Sequence, residues 1–157
     1  MSNDNINKEM QGLVNETSVA YQPDQLLRPK DFFTDKLLIT HMIRTGVPYS
    51  LFREVQKLAP FSDHNWADIL EISTKSLQRY EKEERRFKRI HSEKIIQIAE
   101  ICILGLDVFG NPEKLRLWLD TPSYALGNIR PSEFLKDSYG VELLSGELNR
   151  IDHGIFV

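Results

Sequence analysis

The sequence predicts an all-α fold in which an N-terminal helix-turn-helix domain is followed by a small helical domain. Apolar residues recur at helical spacing from about residue 31 onwards, glycines and prolines interrupt these stretches, and no segment alternates as a β-strand would. We expect a leader over residues 1–30, the helix-turn-helix domain over residues 31–90, and the C-terminal domain over residues 91–157.

The composition, with 41% apolar and 27% charged residues, predicts a globular protein. No apolar run approaches the roughly 18 residues of a membrane-spanning helix. The first ten residues are polar, so we expect a cytoplasmic protein without membrane contact. The net charge of −3 hides a basic stretch between residues 75 and 89, where seven basic residues outnumber three acidic ones. Such a local positive field, rather than the net charge, determines phosphate binding.

Two helices are predicted before the helix-turn-helix. Residues 31–44 place apolar side chains at helical spacing, and Gly46 follows as a stop signal. Residues 49–58 follow Pro48, repeat apolar residues every three to four positions, and end before Pro60. Residues 1–30 lack such a period and contain Pro23 and Pro29, and we therefore expect a flexible leader.

Residues 62–82 fit two helices that cross tightly. Ala67 supplies a small side chain where the helices approach, and Ser73 is placed to cap the second helix. Glu71 stands in the turn, where glycine is favoured for a left-handed backbone, at a cost of about 1 kcal/mol. The apolar contacts are expected from Trp66, Leu70, Ile72, Leu77 and Tyr80. These features predict a helix-turn-helix.

The second helix of this motif carries a polar and basic face. At 100° per residue, this face lies opposite Leu77 and Tyr80. The amide of Gln78 suits adenine, and the guanidinium of Arg79 suits guanine or a phosphate. A solvated charged face on a helical hairpin is the alternative. The candidate DNA-binding residues are Ser73, Thr74, Lys75, Ser76, Gln78, Arg79 and Lys82, with Arg86 joining them if the helix extends that far.

The C-terminal half is predicted to contain a long apolar helix and shorter ones. Ser92 is a suitable N-cap for the long helix, which Gly110 ends. The helix has almost no polar face, so it is either the spine of the domain or part of a dimer interface. It contains Cys102, the single cysteine, as a buried thiol. Further helices are predicted from Asn111-Pro112 to Leu119, from Pro131 to Gly140, and through Leu143, Leu144, Leu148 and Ile151.

No catalytic, cofactor or metal site is predicted. The four histidines are scattered without metal-ligand spacing, and one cysteine cannot complete a zinc site. The sequence lacks a glycine-rich phosphate loop and a nucleophile with a supporting base. We therefore expect a protein that acts by binding and is not an enzyme.

Several separated blocks between about residue 46 and residue 157 follow a pattern shared with a known family, and the last block is the most specific. The blocks are Gly46-Val47-Pro48-Tyr49-Ser50, residues 72–80, Val108-Phe109-Gly110-Asn111, Trp118-Leu119-Asp120-Thr121-Pro122, Ala125-Leu126-Gly127, Pro131, Gly140 and residues 150–157. In these blocks the chain resembles the Xre-type antitoxins that accompany RES-domain toxins, the ParS/MbcA-like family.

The resemblance implies an antitoxin in two parts. Its N-terminal half would form a homodimer and repress its own operon through operator DNA, and its C-terminal half would bind a RES-domain toxin that consumes NAD. The final residues would cover the toxin's active-site opening. The candidate toxin-binding residues are Arg150, His153, Gly154, Ile155, Phe156 and Val157.

Two alternatives remain at this point. The apolar ending can instead be buried against the protein's own core, where each fully buried side chain would contribute about 1.5 to 3 kcal/mol. The whole chain can also be a stand-alone helix-turn-helix repressor whose C-terminal half is a dimerisation or effector domain.

Overall fold

Helices make up most of the chain that the computed structural model describes, which is residue 8 and residues 35–155. No β-strand occurs among these residues, and the predicted all-α fold with a helix-turn-helix before a C-terminal domain is confirmed. Apart from residue 8, the predicted leader lies outside the described residues, as do residues 31–34 of the predicted first helix. The α-helices are α1 (Lys36–Thr45), α2 (Tyr49–Leu58), α3 (Asp63–Leu70), α4 (Thr74–Lys82), α5 (Arg89–Phe109), α6 (Pro112–Asp120) and α7 (Ser138–Asp152), with 3-10 helices at Tyr124–Leu126 and Pro131–Lys136.

The turn between α1 and α2 is fixed to the start of α5 by a buried hydroxyl. The Ser92 side chain, which is fully buried, accepts a hydrogen bond from the Val47 amide at 2.9 Å and donates one to the Phe87 carbonyl at 3.2 Å. Our prediction of Ser92 as an N-cap was therefore wrong, because α5 begins three residues earlier, at Arg89, with Lys88 as its N-cap. The hydroxyl connects distant backbone segments instead.

The helix-turn-helix consists of α3 and α4. Ser62 and Asn65 cap the start of α3 reciprocally, and the Ser73 hydroxyl caps α4 by accepting a hydrogen bond from the Ser76 amide. Glu71 has φ 55° and ψ 41°, the left-handed conformation expected at this turn. Its carboxylate forms an ion pair with Lys94 of α5 at 3.2 Å, and Lys94 also donates to a carbonyl at the end of α3. A long-range contact therefore holds the strained turn.

Aromatic side chains form the part of the core beneath the helix-turn-helix. Phe52 lies at its centre, with ring centroids 5.0 Å from Trp66 and 4.9 Å from Phe87. The ring of Tyr80, at the end of α4, stacks on Phe87 at 4.4 Å. The cluster fixes α4 against α2, α3 and the loop before α5 because each ring contacts a different element.

Helix α5 is the spine of the described structure, and it packs against α1, α2, α3, α6 and α7. Cys102 is fully buried within it, and burial raises the pKa of its thiol to about 12. No single helix among the described residues is both long and apolar enough to cross a membrane; α5 and α6 meet these two conditions only as a pair, which is bent by 110°.

The segment before α7 differs from its prediction. A 3-10 helix ends at Lys136, and α7 begins at Ser138 with the Asp137 carboxylate as its cap. The predicted helix from Pro131 to Gly140 was therefore wrong, since Gly140 lies in the first turn of α7. At Gly140 a side chain would overlap the carbonyl oxygen of Phe134, so glycine allows the two helices to meet.

Candidate functional sites

The structure brings the residues predicted to contact DNA together on α4. Lys75, Gln78, Arg79 and Lys82 are all exposed, and Leu77 is buried on the opposite side. Within residues 35–155, these four side chains form no hydrogen bond or ion pair with one another or with other residues. Their charged and amide groups are therefore available to a ligand. We call this surface the α4 face.

The start of α4 adds hydroxyls to the α4 face. Ser73 and Thr74 are exposed, whereas Ser76 is half-buried, and the Ser73 and Ser76 hydroxyls lie 2.9 Å apart. Ser73 already accepts a hydrogen bond from the Ser76 amide as the helix cap. Among the described residues, Thr74 is thus the one of these three whose hydroxyl takes part in no hydrogen bond.

The basic stretch after α4 is not part of the α4 face. Helix α4 ends at Lys82, and the left-handed Glu84, with φ 46°, turns the chain away. Arg86 was expected on this face only if the helix extended that far, and it does not; its guanidinium instead donates a hydrogen bond to the Gly46 carbonyl at 3.0 Å. Arg85 pairs with Glu83. The sequence showed the excess of basic residues but could not show which of them hold the fold.

Backbone hydrogen bonds fix the start of the C-terminal tail, residues 154–157, at the end of α7. Gly154 is left-handed, with φ 68°; its amide bonds to the Ile151 carbonyl at 3.0 Å, and the Ile155 amide bonds to the Arg150 carbonyl at 2.9 Å. These two bonds form a Schellman motif. His153 is exposed, and its Nδ1 lies 2.7 Å from the Asn149 carbonyl.

The described part of the tail is not packed on its own core. The Ile155 side chain is 55% exposed. Arg150 is half-buried and pairs with Glu147 at 3.3 Å. Phe156 and Val157 lie outside the described residues.

A groove that sequence reasoning missed leads along α7 to the tail. It has a volume of about 850 Å³ and is bordered by α7 on one side and the first 3-10 helix on the other. Tyr139 is 82% exposed on it, and Leu143, one helical turn on, is also exposed. Arg150 borders the same groove. At 100° per residue, positions 139, 143, 146 and 150 share one face of α7, which is the signal that could have found it.

One ion pair joins the two halves of the described structure. Lys136, in the second 3-10 helix, lies 2.7 Å from the Asp68 carboxylate on α3. Lys136 holds the pKa of Asp68 below its usual value by a hydrogen bond and by its charge. Among the described residues, no group of three or more histidine, cysteine, aspartate or glutamate side chains is placed to hold a metal ion.

Comparison with known proteins identifies the two halves separately. A family model described as the antitoxin Xre-like helix-turn-helix domain matches residues 39–100. A model described as the antitoxin Xre/MbcA/ParS C-terminal toxin-binding domain matches residues 104–154. The two halves of the chain are therefore similar to the two domains of Xre antitoxins. The first match contains the α4 face, and the second contains the groove along α7 and ends at Gly154, before the exposed Ile155.

A curated relative agrees with this assignment. The chain is 29% identical over 104 residues to a protein named "Antitoxin Xre" from Yersinia enterocolitica serotype O:8 / biotype 1B, an alignment that covers 60% of this chain and 70% of the relative. The two family models meet near residue 102, inside α5, whereas we predicted the domain boundary at residues 90 and 91, in the first turn of that helix.

Proposed function

We propose that this antitoxin neutralises a RES-domain, NAD-consuming toxin by covering the toxin's active site with its C-terminal region. We propose further that it forms a cytoplasmic homodimer that represses its own operon by binding operator DNA. The observation that carries the proposal is the presence, in one chain, of an unpaired basic helix face inside the helix-turn-helix match and an exposed Ile155 directly after the toxin-binding match.

The chemistry of the α4 face supports DNA binding. Arg79 presents a planar fork that suits the two acceptors of guanine or a phosphate, and the Gln78 amide suits the acceptor and donor of adenine. Lys75 and Lys82 supply further positive charge for the phosphate backbone. The phosphate contacts would position the helix on the DNA, and the base contacts would read its sequence.

The test of DNA binding is an Arg79→Ala variant in a gel-shift assay with the antitoxin's own promoter. Loss of a bidentate base contact costs about 1–3 kcal/mol, so we expect affinity to fall roughly tenfold to a hundredfold. Arg116→Ala is the matched control: Arg116 is also exposed, but it lies on α6 and pairs with Asp120. Circular dichroism should show both variants folded. Unchanged binding by Arg79→Ala would refute this assignment.

The exposure of Ile155, in the tail, supports toxin binding. Exposed isoleucine and tyrosine side chains gain free energy when a partner removes their apolar surface from water. A tail packed on its own core would bury Ile155, which is instead more than half exposed. The Schellman motif presents this residue in a defined direction. The groove along α7 continues the apolar surface towards Tyr139.

The test of toxin binding is deletion of residues 155–157. We expect the truncated antitoxin to fold and to bind its promoter, but to lose protection when co-expressed with the RES-domain toxin encoded beside it. Cellular NAD should then fall. Leu37→Ser is the control, since Leu37 is 80% exposed on α1, outside the toxin-binding match. Full protection by the truncated chain would contradict the proposed role of the tail.

A stand-alone repressor, the alternative function, would give a different result in a co-purification experiment. Such a protein would bind DNA through the α4 face but would have no toxic partner to protect against. Co-purification with the product of the neighbouring gene distinguishes the two functions, because only an antitoxin forms a stable complex with a protein that is toxic alone.

A further inference from the structure

A glycine in the middle of α7 is not explained by the packing of the described residues. Glycine destabilises a helix interior relative to alanine, so it usually has a packing or functional reason there. Three glycines lie within the α-helices of the described part of the chain. At Gly105 and Gly140 a Cβ atom would overlap Leu115 and the Phe134 carbonyl, whereas at Gly146 it would meet nothing within 4 Å. The contact that would favour the small size of Gly146 is therefore made with something else.

Gly146 borders the groove along α7, on the same face of the helix as two exposed apolar side chains. Tyr139 is 82% and Leu143 is 55% exposed, and the half-buried Leu126 of the first 3-10 helix lies on the other side of the groove. The missing side chain at position 146 leaves the α7 backbone open to close approach. A large apolar side chain placed there would bury apolar surface of the groove as well as its own.

The groove also carries one negative charge that no described residue balances. Glu142 borders the groove, is exposed, and forms no hydrogen bond or ion pair within residues 35–155. Glu147, nearer the tail, pairs with Arg150 at 3.3 Å. A partner that presents a basic side chain beside its apolar one would complement Glu142.

We propose that the groove along α7 seats a large apolar side chain of the toxin directly over Gly146, with a basic side chain of the toxin beside Glu142. This inference rests on the proposed function, and the groove lies within the match to a toxin-binding domain, residues 104–154. It gives the groove a role that differs from that of the tail: the groove anchors the toxin, and the tail covers its active site. A toxin that lacks this apolar and basic pair is bound more weakly, so the groove contributes to the choice of toxin.

The test is a Gly146→Gln variant of the full-length protein, whose affinity for the purified product of the neighbouring gene is measured by titration calorimetry. Glutamine favours a helix more than glycine does, so the Tm should stay the same or rise, and weaker binding cannot be attributed to unfolding. We expect the affinity to fall about tenfold or more, because the longer side chain occupies the space above the α7 backbone. Gly146→Ala adds a single methyl group and should lower the affinity less.

Two leucines provide a matched pair of variants. Both are exposed on helices within the toxin-binding match, Leu143 by 55% and Leu117 by 68%, but Leu117 lies on α6 and does not border the groove. Leu143→Gln should lower the affinity about tenfold, because the toxin would bury roughly half of a leucine side chain. Leu117→Gln should leave the affinity within about twofold of the wild type. Glu142→Gln should make the affinity less dependent on salt concentration.

The possible outcomes separate this proposal from the proposed function. Unchanged affinity of Gly146→Gln and Leu143→Gln, while the wild-type complex forms, would overturn the proposal and leave the antitoxin function intact. The absence of any complex with the wild-type chain would overturn both. Variants that dissociate the protein's own oligomer, without weakening the toxin complex, would make the groove a contact between copies of this chain and would also overturn the proposal.

Discussion

The Ser92 hydroxyl gives the sharpest stability prediction. It is fully buried and serves two backbone groups, the amide of Val47 and the carbonyl of Phe87. The substitution Ser92→Ala removes the oxygen without adding bulk, and α5 keeps its length because Lys88, not Ser92, is its N-cap. The change therefore isolates the loss of these hydrogen bonds.

The expected magnitude follows from the group that is left without a partner. Val47 is itself fully buried, so its amide cannot turn to water once the hydroxyl is gone. A buried donor left without a partner costs about 1–3 kcal/mol of unfolding free energy. For a chain of this length, each kcal/mol corresponds to a Tm change of roughly 2–4 °C. Ser92→Ala should thus lower the Tm by about 2–12 °C.

Thermal denaturation followed by circular dichroism measures the Tm, and chemical denaturation measures the free energy of unfolding, with Ser138→Ala as the control. Ser138 is exposed, and among the described residues its hydroxyl makes only a 3.4 Å contact with Gln97, so its loss should change stability by less than about 0.5 kcal/mol. If Ser92→Ala were as stable as Ser138→Ala, the reasoning from the buried amide would be refuted.

Two further predictions concern close packing. Gly140→Ala should destabilise the protein, because the new methyl group would overlap the Phe134 carbonyl. Gly146→Ala, which has open space around it on the same helix, should instead stabilise the protein by about 0.5–1 kcal/mol. Thermal unfolding of the two variants measures this difference, and equal effects would contradict the prediction. The Cys102 thiol, whose pKa burial raises to about 12, stays protonated at pH 8. Its labelling by a disulfide reagent should therefore proceed only as fast as the protein opens, and rapid labelling of the native chain would disprove its burial.

The sequence predicted most of the helices because their signals are local. Helical spacing of apolar residues, prolines at helix starts and glycines at helix ends each act within a few positions, and α2, α4 and α6 begin or end within two residues of their expected positions. The left-handed conformation of Glu71 was likewise predicted, because the three-residue turn of a helix-turn-helix requires it.

The wrong predictions, and the open question of Arg86, concern residues whose partner is distant in sequence. Ser92 has the chemistry of a cap, but its partner Val47 is 45 positions away. Arg86 has the chemistry of a DNA contact, yet it bonds to the carbonyl of Gly46. Gly140 reads as a helix end until the approach of Phe134 is known. The local sequence pattern cannot distinguish a local role from a long-range one, because the same side chain is chemically suited to both.

The candidate sites also differ in whether the local sequence pattern could predict them. The α4 face could be placed from the period of one helix, whereas the groove along α7 needs the first 3-10 helix as its other wall. The exposed Tyr139 and Leu143 looked like ordinary apolar helix positions in sequence. Only the assembled structure distinguishes an apolar side chain facing the core from one facing water.

The course of α5 limits how this chain can be recombined with similar proteins. The two family matches meet inside this single helix, which is 21 residues or about 31 Å long and packs against elements of both halves. A chimera cut at the match boundary would join two halves of a buried helix whose surroundings come from different proteins. A cut at Gly110, where the helix ends in an exposed turn, would keep the helix with the neighbours against which it packs at its N-terminal end. The DNA-binding and toxin-binding specificities of such proteins should therefore be less freely interchangeable than their separate family names suggest.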